Sequence, residues 1–260
     1  MNKSTNELES LKHLAKPFFF KGSSDLGVLL VHGFTASPTE ILPIGKFLHN
    51  QGYTVHGVRL AGHGTNYTEL PKYTWKDWYQ SVEDGIVNIK EQCNSLVPIG
   101  LSLGALLCIY LVHKHPEIDF QKLVLLSPPF GLKSRLAYLA PILKYVVKYS
   151  YKGDTTLQYF KKHSLYSYMY RPLSAVAQLI QFQKYIEKQN IKLKAPTMIA
   201  YGRNDDMISI PAIAKAIKRM FVPASQVKLV ELPKSGHILT VEPDSEDLFR
   251  SIAKFLKNDE

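Results

Sequence analysis

Residues 96–108 read LVPIGLSLGALLC. Leu96–Ile99 is a short apolar run of the kind that fills a buried strand, and Ala105–His115 keeps a helical character. Between them lies Gly100-Leu101-Ser102-Leu103-Gly104. A serine flanked at two residues by glycine, between a strand and a helix, is the pattern of a nucleophile elbow. The turn is tight, so the serine takes a strained backbone conformation and only small residues fit beside it. Its hydroxyl projects above the sheet edge at a helix N-terminus, whose positive end favours a developing oxyanion.

Working outward, short β-like runs alternate with helical stretches. Phe18–Phe20, Val28–Val31, Thr54–Val58, Lys122–Leu126, Thr197–Tyr201 and Val227–Glu231 read as strands. Pro38–Gln51, the stretch from Thr74, Pro211–Phe221 and Ser245–Leu256 read as helices. Thr74 followed by Asp77 has the form of a capping box. Such alternation implies an α/β fold with a mostly parallel sheet flanked by helices. From about Phe130 to Lys194 no strand is evident, only helical and loop segments rich in Tyr and Lys. The expected organisation is therefore a core formed by residues 1–129 and 195–260, interrupted by a helical cap at 130–194.

A serine hydroxyl needs a base to take its proton. In the order Ser, acid, His, the base belongs on a loop after the last strand, where Ser235-Gly236-His237 lies. His113 and His115 follow the elbow helix and read as surface residues, and His163 falls in the cap. The acid belongs after Thr197–Tyr201. There Asp205 and Asp206 are adjacent, and the residues alone leave the choice open. An oxyanion hole takes two backbone N–H groups. Leu103, after the serine, supplies one. Phe34, in the loop His32-Gly33-Phe34-Thr35 after Val28–Val31, supplies the other. His32 and His63 read as loop-bracing residues.

The stretches Gly27–Thr35, Gly62-His63-Gly64-Thr65, Gly100–Gly104 and Ser235-Gly236-His237 together resemble bacterial carboxylesterases and monoacylglycerol lipases of the α/β-hydrolase fold. The likeness runs from about Pro17 to the C-terminus and is thin in the cap. It implies an ester hydrolase that needs no cofactor or metal. Its acid stands three residues before an aliphatic position, which selects Asp205 over Asp206. Ala105 departs from the glycine common there, a small change. A thioesterase or amidase would use the same parts, and a hydrolase fold retained only for ligand binding is the non-catalytic alternative. A dehalogenase would carry Asp in place of Ser102.

Composition narrows the partners. The 260 residues hold 32 Lys and Arg against 22 Asp and Glu, a net charge of +10. The basic residues are dispersed, with no zinc spacing, Walker loop or RNA-binding signature, so nucleic acid is not the expected partner. A small-molecule ester or monoacylglycerol is. Two cysteines argue against a disulfide framework. The N-terminal stretch lacks the apolar core of a signal peptide, so a cytoplasmic enzyme is expected.

The cap stretch 134–152 reads SRLAYLAPILKYVVKYSYK. As a helix it would align Leu136, Leu139, Leu143, Val146 and Val147 on one face and Lys144, Lys148 and Lys152 on another. Pro141 calls for a break or kink. Two readings stand: a cap helix packed on the core with a solvated lysine stripe, or one that also touches an anionic lipid surface weakly. Both place an apolar wall over Ser102 and so favour short- to medium-chain acyl groups.

Overall fold

The computed structural model describes residues 8–257. Its strands are β1 (Phe18–Phe20), β2 (Leu26–Val31), β3 (Thr54–Val58), β4 (Ser95–Leu101), β5 (Leu123–Leu126), β6 (Tyr149–Tyr151), β7 (Tyr170–Pro172), β8 (Thr197–Gly202) and β9 (Val227–Leu232). The α-helices are α1 (Leu42–Asn50), α2 (Trp75–Lys90), α3 (Leu103–Lys114), α4 (Ala140–Leu143), α5 (Asp154–Lys162), α6 (Leu173–Lys188), α7 (Ile210–Met220) and α8 (Ser245–Leu256).

Seven strands form one sheet in the order β1-β3-β2-β4-β5-β8-β9. β1 is antiparallel to β3, and every other neighbouring pair is parallel. Parallel strands joined by helical crossovers are covered on both faces, which explains their unbroken apolar runs. Alternate residues serve opposite cores. Leu29 and Val31 of β2, Leu123 and Leu125 of β5, and Ile199 and Tyr201 of β8 pack in one cluster with α2, α3, α6 and α7. Val28 and Leu30, Val124 and Leu126, and Met198 and Ala200 pack in the other with α1 and α8. The period of two is that of the pleat. α3 is buried on nearly every side, as a helix apolar all round must be. The Thr74–Asp77 capping box opens α2.

The chain runs from β2 to β3 on one side and then returns past β2 to β4 on the other. That reversal is a topological switch point, where loops from the carboxyl ends of β2 and β4 meet over a crevice. The loops after β8 and β9 open on the same edge because those strands are parallel to the rest.

The segment between β5 and β8 departs from expectation in three ways. It contains a small antiparallel pair, β6 with β7, too short at three residues each to show a strand period in sequence. No long helix spans 134–152. A 3-10 turn at Arg135–Leu139 leads into the four-residue α4, with Pro141 in its first turn, where a missing N–H costs nothing. The apolar face proposed as a wall over Ser102 points outward instead. Leu136 is 71% exposed, Ile142 70% and Val146 84%, and Leu139, Leu143 and Val147 are also exposed. Breaking the helix removes the single facing stripe that would have packed on the core.

Candidate active site

Ser102 follows β4 and caps α3 at φ 54°, ψ −117°, a conformation that side chains rarely adopt. The turn is held by its N–H, which donates to Leu126 O at 2.8 Å. Gly104 is needed there. A Cβ on it would lie 2.2 Å from the carbonyl oxygen of Val31, so α3 approaches the end of β2 only without a side chain.

Asp205 follows β8 in a turn closed by its own N–H to Gly202 O. Its side chain is fully buried. Oδ1 accepts the N–H groups of Met207 at 2.8 Å and Ile208 at 3.2 Å. Oδ2 lies 2.7 Å from His237 Nδ1, and His237 Nε2 lies 3.0 Å from Ser102 Oγ. Burial would raise the Asp205 carboxyl. The His237 hydrogen bond and charge, with the two backbone donors, overcome it and hold the group below its ordinary range. Asp206 is exposed and takes no part in this line.

The acid and histidine loops are fastened together. Asn204 N–H donates to Ser235 O at 3.0 Å and Arg203 N–H to Leu232 O at 3.0 Å. A Cβ on Gly202 would fall 2.1 Å from Gly236 O. Asp244, at the start of α8, accepts from Ser235 Oγ at 2.9 Å and Lys234 N–H at 2.8 Å. Ser127 Oγ donates to His237 O at 2.9 Å.

The Phe34 loop crosses beside the serine: a Cβ on Gly33 would sit 3.5 Å from Ser102 Cβ. The Gly33 carbonyl accepts from Ala36 N–H at 3.4 Å and pairs with His32 Nδ1 at 2.9 Å. A trans peptide sets its C=O and N–H opposite, so fixing that carbonyl aims the Phe34 N–H the other way. His32 Nε2 accepts the Leu60 N–H at 3.2 Å, which leaves Nδ1 as the donor to Gly33. Burial pushes His32 down to about 4, against the Gly33 hydrogen bond, so the ring stays neutral and keeps this pattern. The N–H groups of Phe34 and Leu103 have no acceptor among the described residues. Leu103 is the first residue of α3, where N–H groups lack helical partners. The Phe34 ring packs against His63 and Trp78, with centroids 6.1 and 5.7 Å away.

His113 and His115 lie at the far end of α3, and His115 bridges Glu83 and Glu117 at 2.9 Å each. His63 is buried, its Nδ1 on Ala61 O at 3.0 Å, in keeping with a loop-forming role. Sequence reasoning missed Ser127, Glu40, Asp244 and Lys152. Glu40 is buried and accepts the Gly33 N–H at 3.2 Å. Burial pushes its carboxyl up to about 7, against the Gly33 N–H and the charges of Lys152 and His237. Asp244 alone left a trace, as an N-cap residue before Ser245.

Residues 22–244 match the family described as serine aminopeptidase, S33. The chain belongs to that family. It is 27% identical over 244 residues to a carboxylesterase of Bacillus subtilis (strain 168), covering 93% of this chain and 96% of that one. A thermostable monoacylglycerol lipase of Bacillus sp. (strain H-257) is 42% identical over 104 residues, 40% of this chain and 41% of the relative. A solved structure from work on the metagenome-derived lipolytic enzymes LipS and LipT superposes with a TM-score of 0.81 at 23% identity, over 94% of this chain and 98% of that one. The family, the relatives and the mostly parallel seven-stranded sheet agree with the α/β-hydrolase fold and the family resemblance read from the sequence.

Proposed function

We propose that this member of the family is a carboxylic ester hydrolase working through an acyl-enzyme on Ser102. The carrying observation is the hydrogen-bonded line Asp205–His237–Ser102, with the serine on a strained strand–helix turn. Neutral His237 takes the Ser102 proton through Nε2 as Oγ attacks the ester carbonyl. The N–H groups of Phe34 and Leu103 receive the oxyanion. Asp205 fixes the ring with Nδ1 protonated and stabilises the imidazolium. His237 returns the proton to the leaving alcohol. Water, activated the same way, then releases the acid. The parts supply every proton transfer the reaction requires, and we assign no cofactor to it.

We assign residues 130–194 to a cap and short- to medium-chain esters or monoacylglycerols to the site. The test is a panel of p-nitrophenyl esters of rising chain length with monoacylglycerols and triolein. Monoacylglycerols turning over faster than triolein support the assignment. The reverse order contradicts it.

A lipid-surface reading is favoured by the outward apolar face. Leu136, Ile142, Tyr145 and Val146 are all more than two-thirds exposed. Arg135, Lys144 and Lys148 flank them in sequence, and no Asp or Glu occurs between Asp119 and Asp154. An apolar face rimmed by cations and free of anions suits an anionic bilayer surface. Among the described residues no helix is long and apolar enough to cross a membrane. Sedimentation with phosphatidylglycerol vesicles, absent with phosphatidylcholine and lost at high salt, is the expected result; no vesicle binding removes the reading. The two cysteines are buried free thiols, which suits the reducing cytoplasm to which we assign the enzyme.

A further inference from the structure

Lys152 was expected in a solvated stripe with Lys144 and Lys148. The structure turns it inward. It follows β6, and its backbone N–H donates to Met169 O at 2.9 Å. Its Nζ donates to Thr35 Oγ1 at 2.8 Å and Ser167 Oγ at 2.9 Å, and lies 4.9 Å from the Phe160 ring centroid. Burial pushes the amine down to about 7, against attraction by Glu40, with Arg171 lowering it further.

Thr35 is the residue after Phe34. It sits at φ 62°, a left-handed conformation costly for a β-branched residue. A strained residue persists only where its surroundings over-determine it. Here the surroundings come from the segment between β5 and β8. Tyr168 N–H and Ser167 Oγ donate to Thr35 O at 2.9 and 3.1 Å. Thr35 Oγ1 donates to Phe34 O at 2.6 Å and so is free to accept from Lys152. Glu40 holds the other end of the loop through the Gly33 N–H. Phe34 thus lies between a buried carboxylate on Gly33 and the amine of the half-buried Lys152 on Thr35.

We propose that Lys152 is a positioning residue: through Thr35 Oγ1 it keeps the Gly33–Thr35 loop in the geometry that aims the Phe34 N–H at the oxyanion. The inference rests on the proposed acyl transfer at Ser102. It makes the oxyanion hole depend on a residue borne by the cap, so the site is complete only when the cap is seated. Lys152 touches no reacting atom. Its effect falls on the transition state, where charge reaches the carbonyl oxygen, more than on substrate binding.

The test compares Lys152→Met, Thr35→Val, the double variant and Thr35→Ser on p-nitrophenyl butyrate, with Ser102→Ala as control. Losing one oxyanion donor costs about 10²–10³ in kcat; misaiming one is expected to cost roughly 10–100-fold, with KM within about threefold. Thr35→Val should match Lys152→Met. The double variant should be no more than about threefold below the weaker single, because both singles remove the shared Lys152–Thr35 contact. Thr35→Ser keeps the oxygen and should restore kcat to within about threefold of wild type. Hydrogen exchange in the peptide carrying Gly33–Thr35 should quicken in Lys152→Met, a readout independent of turnover. A lowered melting point with unchanged kcat and unchanged exchange would reduce Lys152 to a structural role and overturn the inference, as would fully multiplicative losses in the double variant. Undiminished activity in Ser102→Ala would overturn the acyl-transfer reading and this inference with it, whereas a normal Lys152→Met beside a dead Ser102→Ala defeats the positioning role alone.

Discussion

Asp205→Asn should abolish most turnover by reversing the histidine tautomer. Asp205 Oδ1 already accepts two backbone N–H groups, from Met207 and Ile208. In the variant, the amide oxygen must stay there. Turning it around would set NH2 against both donors, and each buried donor left unpaired costs about 1–3 kcal/mol. The amide NH2 is therefore delivered to His237 Nδ1, 2.7 Å away, which must become an acceptor. The proton then sits on Nε2, facing Ser102 Oγ at 3.0 Å. That nitrogen no longer accepts the serine proton. A tautomer reversal of this kind lowers kcat by about 10⁴. Asp206→Asn alters an exposed side chain and should leave kcat within about twofold. The assay is steady-state hydrolysis of p-nitrophenyl butyrate, with melting curves to confirm folding. If Asp205→Asn keeps more than about a tenth of wild-type kcat at matched stability, or Asp206→Asn is equally damaging, the tautomer argument fails.

Gly202→Ala should lower both melting point and kcat, because its Cβ would meet Gly236 O at 2.1 Å and push the histidine loop from the acid loop; a normal variant by both measures would contradict that packing. Acid should destabilise the fold. Burial holds His32 at about 4 and His63 well below the ordinary histidine value of 6.5, so the unfolded chain takes up these protons first and stability falls as pH drops from about 7 toward 4. Glu40, raised to about 7 by burial, opposes this between about 7 and 4.5, as does His115, held up by Glu83 and Glu117 against its burial, but His56 and His163 are also lowered by burial and add to His32 and His63. A melting point higher at pH 5 than at pH 7.5 would refute the balance. Val146→Asp with Leu136→Asp should abolish binding to anionic vesicles while leaving hydrolysis of soluble esters unchanged; retained binding would place the contact elsewhere.

What the sequence made legible follows from the range of the interactions. The parallel core announced itself because its strands are buried on both faces and its crossovers end in recognisable caps, as at Thr74–Asp77. Ser102 stood out because its turn demands glycine neighbours, and His237 because it follows the last strand, where the order Ser, acid, His puts the base. Asp205 could not be told from Asp206 by residue type; what separates them is which side chain reaches two amides and an imidazole, a fact of the folded loop. The segment between β5 and β8 read worst. Its strands are three residues long, the large apolar positions between Leu136 and Val147 face outward, and Lys152 shares a four-residue spacing with two lysines whose role it does not share. Contacts such as Lys152–Thr35, 117 residues apart, leave no local pattern to read.

The most direct test of the account is covalent labelling with a fluorophosphonate, followed by peptide mass spectrometry. One adduct is expected, on Ser102, formed rapidly in the wild type, strongly slowed in Asp205→Asn and absent in Ser102→Ala. No labelling of the folded protein, or an adduct at another residue that survives Ser102→Ala, would contradict it.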